Sequence, residues 1–215
     1  ERTPSMQKQL VLPLAATLAT RTMGSAPAMA AEEPPITVEA REDRFEIRQY
    51  GPQVIAEVDV TGERSEAANR GFRPLADYIF GGNQPNARIA MTAPVVQTRG
   101  GGQRIAMTAP VSQTEGPEGW RVRFVMPEGS RLEDMPNPNN PAVRLSSQPG
   151  RRMAVVRFSG LASERALAQA ETRLTAALTA RGEVCAGPVE YAFYDPPWTL
   201  PFLRRNEVMV PLRPR

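Results

Sequence analysis

The chain has 215 residues, 41% hydrophobic and 23% charged, which is enough for one sizeable domain and unlike either a disordered chain or a polytopic membrane protein. With no histidine and a single cysteine, Cys185, it excludes Ser-His-Asp and Cys-His catalysis, zinc sites built on His or paired Cys, and any disulfide within one chain. The formal charge of +3 is a small excess rather than a basic stripe: beyond the first thirty residues 23 basic side chains face 22 acidic ones, and no arginine run interleaved with aromatics marks a nucleic-acid groove.

Residues 6–31 have the form of a secretory leader. Met6 and Lys8 make a short positive start, residues 10–19 are apolar, and Ala28-Met29-Ala30 fits the small-residue pattern for cleavage before Ala31. Arg21 interrupts the apolar stretch well short of a membrane span. The expected organisation is a leader over residues 1–30, a linker over 31–41 and one domain over 42–215. Such a protein is exported to a bacterial periplasm and has no stable membrane insertion after cleavage.

Period-two alternation begins at Phe45 and Ile47 and resumes at Val54, Ala56, Val58 and Val60, with Gly51-Pro52 between, the signature of a hairpin. Ala68, Phe72, Leu75 and Ile79 then sit on one helical face, with Ser65 as the expected cap, Gly81-Gly82 as the stop and Pro74 inside. Next comes an internal repeat: RIAMTAPVVQT at 88–98 and RIAMTAPVSQT at 104–114, joined by five residues. As a hairpin, this pair places Ile89, Met91, Ala93 and Val95 on one face with Ile105, Met107, Ala109 and Val111, and Pro94 and Pro110 at bulges or an edge. Strands follow at 120–126, 143–147 and 153–158. A second helix is capped by Ser163, striped by Leu167, Ala170, Leu174 and Leu178, and stopped by Gly182. Strands at 189–194 and 208–212 finish the chain. The expected fold is α+β: two pseudo-symmetric strand-strand-helix-strand-strand repeats forming a distorted antiparallel β-barrel with two helices.

Four motifs in order, FEIRQYGP at 45–52, GFRPLADYIFGGN at 71–83, the two IAMTAPV copies and YDPPWTLPFLRRNEV at 194–208, resemble the SOUL haem-binding protein family across nearly all of the chain after its leader. The resemblance implies a two-repeat distorted barrel. It also implies non-covalent binding of haem or another tetrapyrrole in an apolar groove beside the first helix, for carriage, buffering or sequestration, without catalysis. Some members carry a histidine, proposed as an axial ligand, at the position of Gln49. Glutamine is a poor iron ligand and no other histidine replaces it.

A porphyrin site needs a flat apolar slot and cationic donors for carboxylates. Arg70 matches a family arginine associated with haem propionates, and Phe72, Arg73 and Tyr78 lie on or beside the same segment. Arg204 and Arg205 either clamp an anion or pair with Glu207 and backbone carbonyls, while Trp198 and Phe202 either cover a planar ligand or close one end of the barrel. Met91, Met107, Tyr50, Tyr191, Tyr194 and Cys185 are donors by chemistry, but packing is the ordinary reading of each methionine and tyrosine and a buried structural role that of Cys185. Two other readings compete with tetrapyrrole binding. One is a sensor or scavenger of other amphipathic molecules, since the architecture resembles the effector-binding domains of gyrase-inhibitor-like proteins. The other is an enzyme acting on tetrapyrroles or small esters, for which Glu57, Asp59 and Asp77 supply acids but no nucleophile-base-orienter set.

Overall fold

The computed structural model describes residues 31–85, 102–117 and 119–214, and residues 31–215 cluster as one compact unit. The leader expected over 1–30 and the first repeat copy, with Met91 and Pro94, lie outside the described residues. The strands are β1 (Ile36–Glu42), β2 (Phe45–Tyr50), β3 (Gln53–Val60), β4 (Asn83–Gln84), β5 (Val111–Gly116), β6 (Gly119–Val125), β7 (Asn137–Pro138), β8 (Arg144–Gln148), β9 (Arg151–Ser159), β10 (Glu190–Phe193) and β11 (Arg205–Pro211). Helix α1 (Arg64–Ile79) follows β3, and α2 (Glu164–Arg181) follows β9. The stretch expected as a linker, 31–41, instead supplies most of β1, which pairs along β2, and Glu32 bridges to Thr108.

Nine strands form one antiparallel sheet in the order β1-β2-β9-β11-β10-β5-β6-β3-β8, and β4 pairs separately with β7. Exchanging β2 with β8, β3 with β9, β5 with β10 and β6 with β11 reverses this order from β2 to β8. The two strand-strand-helix-strand-strand halves are therefore related by a pseudo-two-fold axis between β5 and β10. The helices obey the same exchange, α1 packing on β3 and β6 and α2 on β9 and β11. The fold is α+β, with a curled antiparallel sheet that ends at β1 and β8 without closing.

Each helix covers its own core on one face of the sheet. Leu167, Ala170, Leu174 and Leu178 of α2 meet Phe45, Ile47, Ala154, Val156, Val208 and Val210, as the stripe predicts. Ser163 caps α2 by accepting the Ala166 N–H at 3.3 Å, and Gly182 ends it at φ 65°, a left-handed position suited to glycine. Helix α1 buries Ala67, Gly71, Leu75, Tyr78 and Ile79 against Val58, Val122 and Phe124, and runs through Pro74. Of its expected stripe Leu75 and Ile79 are buried, whereas Ala67 and Gly71 take the places expected of Ala68 and Phe72. Its N-terminal boundary residue is Glu63, with no side-chain cap, rather than Ser65.

The second IAMTAPV copy does not form a strand up to Pro110. Its backbone spends hydrogen bonds elsewhere: Ile105 N–H donates to the Ile79 carbonyl at the end of α1, and Ala109 N–H to Glu32. Strand β5 starts at Val111, after a proline that has no N–H to give. Ala109 is buried, Ile105 and Val111 are half-buried, and Met107 is exposed, so the expected shared apolar face is broken.

Candidate ligand-binding surface

Three of the residues singled out above, Arg70, Phe72 and Arg73, are exposed on α1. Arg73 is exposed, and Phe72 is 39% exposed with its ring edge-on to Phe124 at 5.4 Å. Arg70 is exposed too, but its guanidinium is tied to the Thr61 carbonyl, which places it at the start of the face rather than free in solvent. Phe80 extends the surface past the helix end, with the Arg104 guanidinium 5.7 Å from its ring, and Met107 is exposed on the segment that runs past Ile79. Tyr78 points the other way. It is 1% exposed, its hydroxyl donates to the Pro136 carbonyl at 3.0 Å, and burial holds its phenol above the ordinary value. The side chain is a core strut and does not reach the exposed side of α1 that carries Phe72 and Arg73.

Of the remaining three, Trp198 and Arg204 lie in the 195–204 loop between β10 and β11, and Arg205 opens β11. Trp198 is 83% exposed. Arg204 donates to the Thr199 carbonyl at 2.8 Å and to that of Pro197, bracing the loop. Arg205 pairs with Glu207 at 3.0 Å and Glu33 at 2.8 Å, and its guanidinium lies 3.8 Å from the Tyr194 ring centre. Of the two roles open to these arginines, both adopt the internal one. Arg204 also borders an open groove of about 550 Å³ with Arg41, Asp43, Arg44, Arg157 and Phe202.

The sheet face opposite the helices holds what the sequence reading did not separate out. Glu207 on β11 is fully buried and accepts two bonds from Arg48 on β2, at 2.8 and 2.9 Å, one from Arg205 and one from the Tyr194 hydroxyl at 2.7 Å. Burial alone pushes this carboxyl up, but Arg48, then Arg205 and Tyr194, outweigh it and hold the pKa below its ordinary 4.5. Further along the same face Arg151 grips Glu190, Arg123 pairs with Glu57 at 3.0 Å, and Arg121 with Asp59 at 2.7 Å. Tyr50, Met153, Val155, Ala192 and Met209 pack between the charges. The available signal was opposite charge at period two on the two strands the fold brings near each other, Glu46 and Arg48 in FEIRQY and Arg205 and Glu207 in RRNEV.

The donors for a metal are largely engaged. Tyr50 accepts from Arg48, Tyr191 donates to Glu171 at 2.7 Å and Tyr194 to Glu207, and burial raises all three phenols. Among the described residues no group of three or more His, Cys, Asp or Glu is arranged for a metal ion. Cys185, expected to be buried, is exposed: its backbone bridges to Leu212 just past the end of β11, and that position leaves the thiol outside the core.

A family model described as SOUL heme-binding protein matches residues 31–211. The chain belongs to the SOUL family. No curated protein sequence matches it. Among solved structures, the C-terminal domain of EcmrR has a TM-score of 0.54 at 10% identity, covering 80% of this chain and 98% of that one. A hydrolase from Listeria innocua has a TM-score of 0.51 at 10% identity, covering 81% of this chain and 94% of that one. At such identities the likeness is one of fold. SOUL membership associates the chain with haem or tetrapyrrole binding, and the family is described by a ligand rather than by a reaction. In this SOUL chain the position where some members carry histidine is an exposed glutamine, Gln49, on β2.

Proposed function

We propose that the domain binds haem or a related tetrapyrrole non-covalently on the outward face of α1, for carriage, buffering or sequestration. The observations that support this are two exposed aromatic rings on and just past α1, Phe72 and Phe80, with Arg73 exposed on the same helix and the Arg104 guanidinium 5.7 Å from the Phe80 ring. Such a surface fits a planar apolar ring bearing carboxylates, since arginine pairs with a carboxylate through two parallel bonds. The fit to the iron is poorer. Imidazole is missing, the tyrosine hydroxyls are engaged, and the Met107 thioether is an exposed donor on the segment that passes the end of α1. Binding then rests on ring contact and propionate pairing, so metal-free porphyrin serves nearly as well as haem.

Parallel titrations with haem and protoporphyrin test this, read by the Soret band and by tryptophan quenching. The expected result is saturable binding of both, with Arg73→Gln weakening each about tenfold, the worth of one charge-assisted bond. Absence of quenching together with an unchanged Soret band overturns the reading.

The leader pattern over residues 6–31 supports export as the setting for this binding. The mature chain expected from a bacterial host begins at Ala31, which intact-mass measurement of the secreted protein checks; a retained leader removes the periplasmic assignment.

A further inference from the structure

The loop 195–204 holds large apolar side chains in water. Trp198 is 83% exposed, Phe202 70%, Leu203 62% and Leu200 56%, and Leu161 stands beside them at 58%, where Gly160 N–H donates to the Pro201 carbonyl. This is not slack chain. Pro196, Pro197 and Pro201 fix their backbone angles, Thr199 N–H closes on Pro196, and Leu203 N–H closes on Leu200. Arg204 ties two loop carbonyls, and the Asp195 carboxylate accepts the Arg205 N–H at 2.6 Å. The bracing keeps the tip outward where a looser loop would fold it down, and a contiguous exposed apolar patch of this kind marks an interaction site.

At the base of the tip, Arg44 and Arg157 face each other across the end of the β2–β9 pair, Arg157 N–H donating to the Arg44 carbonyl at 2.9 Å. Both side chains are exposed, and among the described residues neither guanidinium has a carboxylate partner, whereas Arg41, Arg48 and Arg205 nearby are all paired. Like charges set opposite each other on neighbouring strands destabilise a sheet; Asp43 and Glu46 also line the groove, but neither is in an ion pair with these two arginines, which leaves them open to an anion from outside. The two line the groove of about 550 Å³ that Phe202 and Leu203 border on its other side.

We propose that this end of the protein docks on an anionic phospholipid surface. Trp198, Leu200, Phe202 and Leu203 enter the boundary between headgroups and acyl chains, and Arg44 and Arg157 hold lipid phosphates in the groove. A small amphiphile seated in the groove covers Phe202 and Leu203 but leaves Trp198 and Leu200, which do not line it, in water; a lipid surface takes in all four. An aromatic and aliphatic tip with guanidinium groups at its base is also the composition that interfacial anchors use. The contact is peripheral on the helical side, since no helix among the described residues is long and apolar enough to cross a membrane.

The test uses the intact protein and vesicles of phosphatidylcholine with and without phosphatidylglycerol, and involves no porphyrin, so its outcome is independent of the tetrapyrrole reading. Co-sedimentation with the anionic vesicles is expected, weakening as salt is added, with a blue shift of Trp198 emission in a Trp120→Phe background. Leu200→Ser with Phe202→Ser lowers binding at least about tenfold. Arg44→Gln with Arg157→Gln removes the preference for anionic vesicles, and unchanged circular dichroism melts show that these exposed positions leave the fold intact. Failure to sediment, or equal binding to both vesicle types that survives the arginine changes, overturns the proposal. So does a concentration-dependent dimer that shields Trp198 from acrylamide, which assigns the tip to a second copy of the chain.

Discussion

Replacing Glu207 with alanine is expected to cost about 3–5 kcal/mol of folding stability, the usual penalty for leaving a buried charge without its partner. Arg48, 4% exposed at its side chain, has Glu46 as its other anionic partner, and Arg205 has only the half-exposed Glu33. The Tyr194 hydroxyl loses its acceptor as well. Urea melts of the variant check this; a loss under about 1 kcal/mol shows that the cluster is open to solvent and screened. The same carboxylate gives the fold an acid limit. Its folded pKa lies below its unfolded value of 4.5, so ionised Glu207 contributes its full stabilisation above that pH and loses it as the pH falls through the lower folded value. Glu46 and Asp59, also depressed by arginine partners, act in the same direction. The melting temperature is therefore expected to hold from pH 7 to about 5 and to fall below it, less steeply in Glu207→Gln than in the parent.

Gly71→Leu is expected to destabilise by about 3 kcal/mol, and Gly71→Ala by about 1–2 kcal/mol, although alanine is the better helix former by about 1 kcal/mol. A Cβ at Gly71 stands 2.5 Å from Val122 Cγ2 and 2.7 Å from Val122 Cβ, and Val122 is fully buried on β6, so the helix must lift off the sheet to admit it. Combining Gly71→Ala with Val122→Ala separates close approach from propensity: the pair is expected to cost less than the sum of the two single changes. A stabilising Gly71→Ala, measured alone, refutes the close packing of α1 on β6.

The same glycine shows why one helix was legible in the sequence and the other only in part. On α2 every core position is Leu or Ala, so hydropathy and burial coincide at Leu167, Ala170, Leu174 and Leu178. On α1 the residue nearest the sheet has no side chain. Hydropathy passes over Gly71 and selects the larger Phe72, yet helix and strand approach along the glycine, which draws in Ala67 and Tyr78 and leaves Phe72 at the rim. Tyr78, read as a ligand contact, is buried for that reason.

Pattern reading was also sound for the strands β2 and β3 and for the two-repeat order, because apolar alternation reports which face is covered, but the hairpin expected of these two strands does not form: β2 pairs with β1 and β9, and β3 with β6 and β8. It failed on the IAMTAPV copies, where near-identity invited a hairpin and the backbone of the second copy instead bonds to α1 and to Glu32. The charged face around Glu207 was invisible as a cluster, since Arg48 and Glu207 are 159 residues apart and only the strand order between them, β2-β9-β11, brings them together. Candidate residues on α1 could be grouped from the sequence because neighbouring positions share a helix. The pairing of Arg44 with Arg157 depends on register and could not be.

Among the described residues, a sheet that curls without meeting itself keeps two lips, β1 and β8, each an edge on which a foreign strand can grow. Both are built to refuse it. β8 is five residues long and polar at four of them, Arg144, Ser146, Ser147 and Gln148. β1 sets Glu39, Arg41 and Glu42 along its length and breaks register between Val38 and Ala40, so a visiting strand cannot stay in step. The unclosed architecture thus carries its own guard against fibril-like stacking, and removing the charges from β1 is the change that would disarm it.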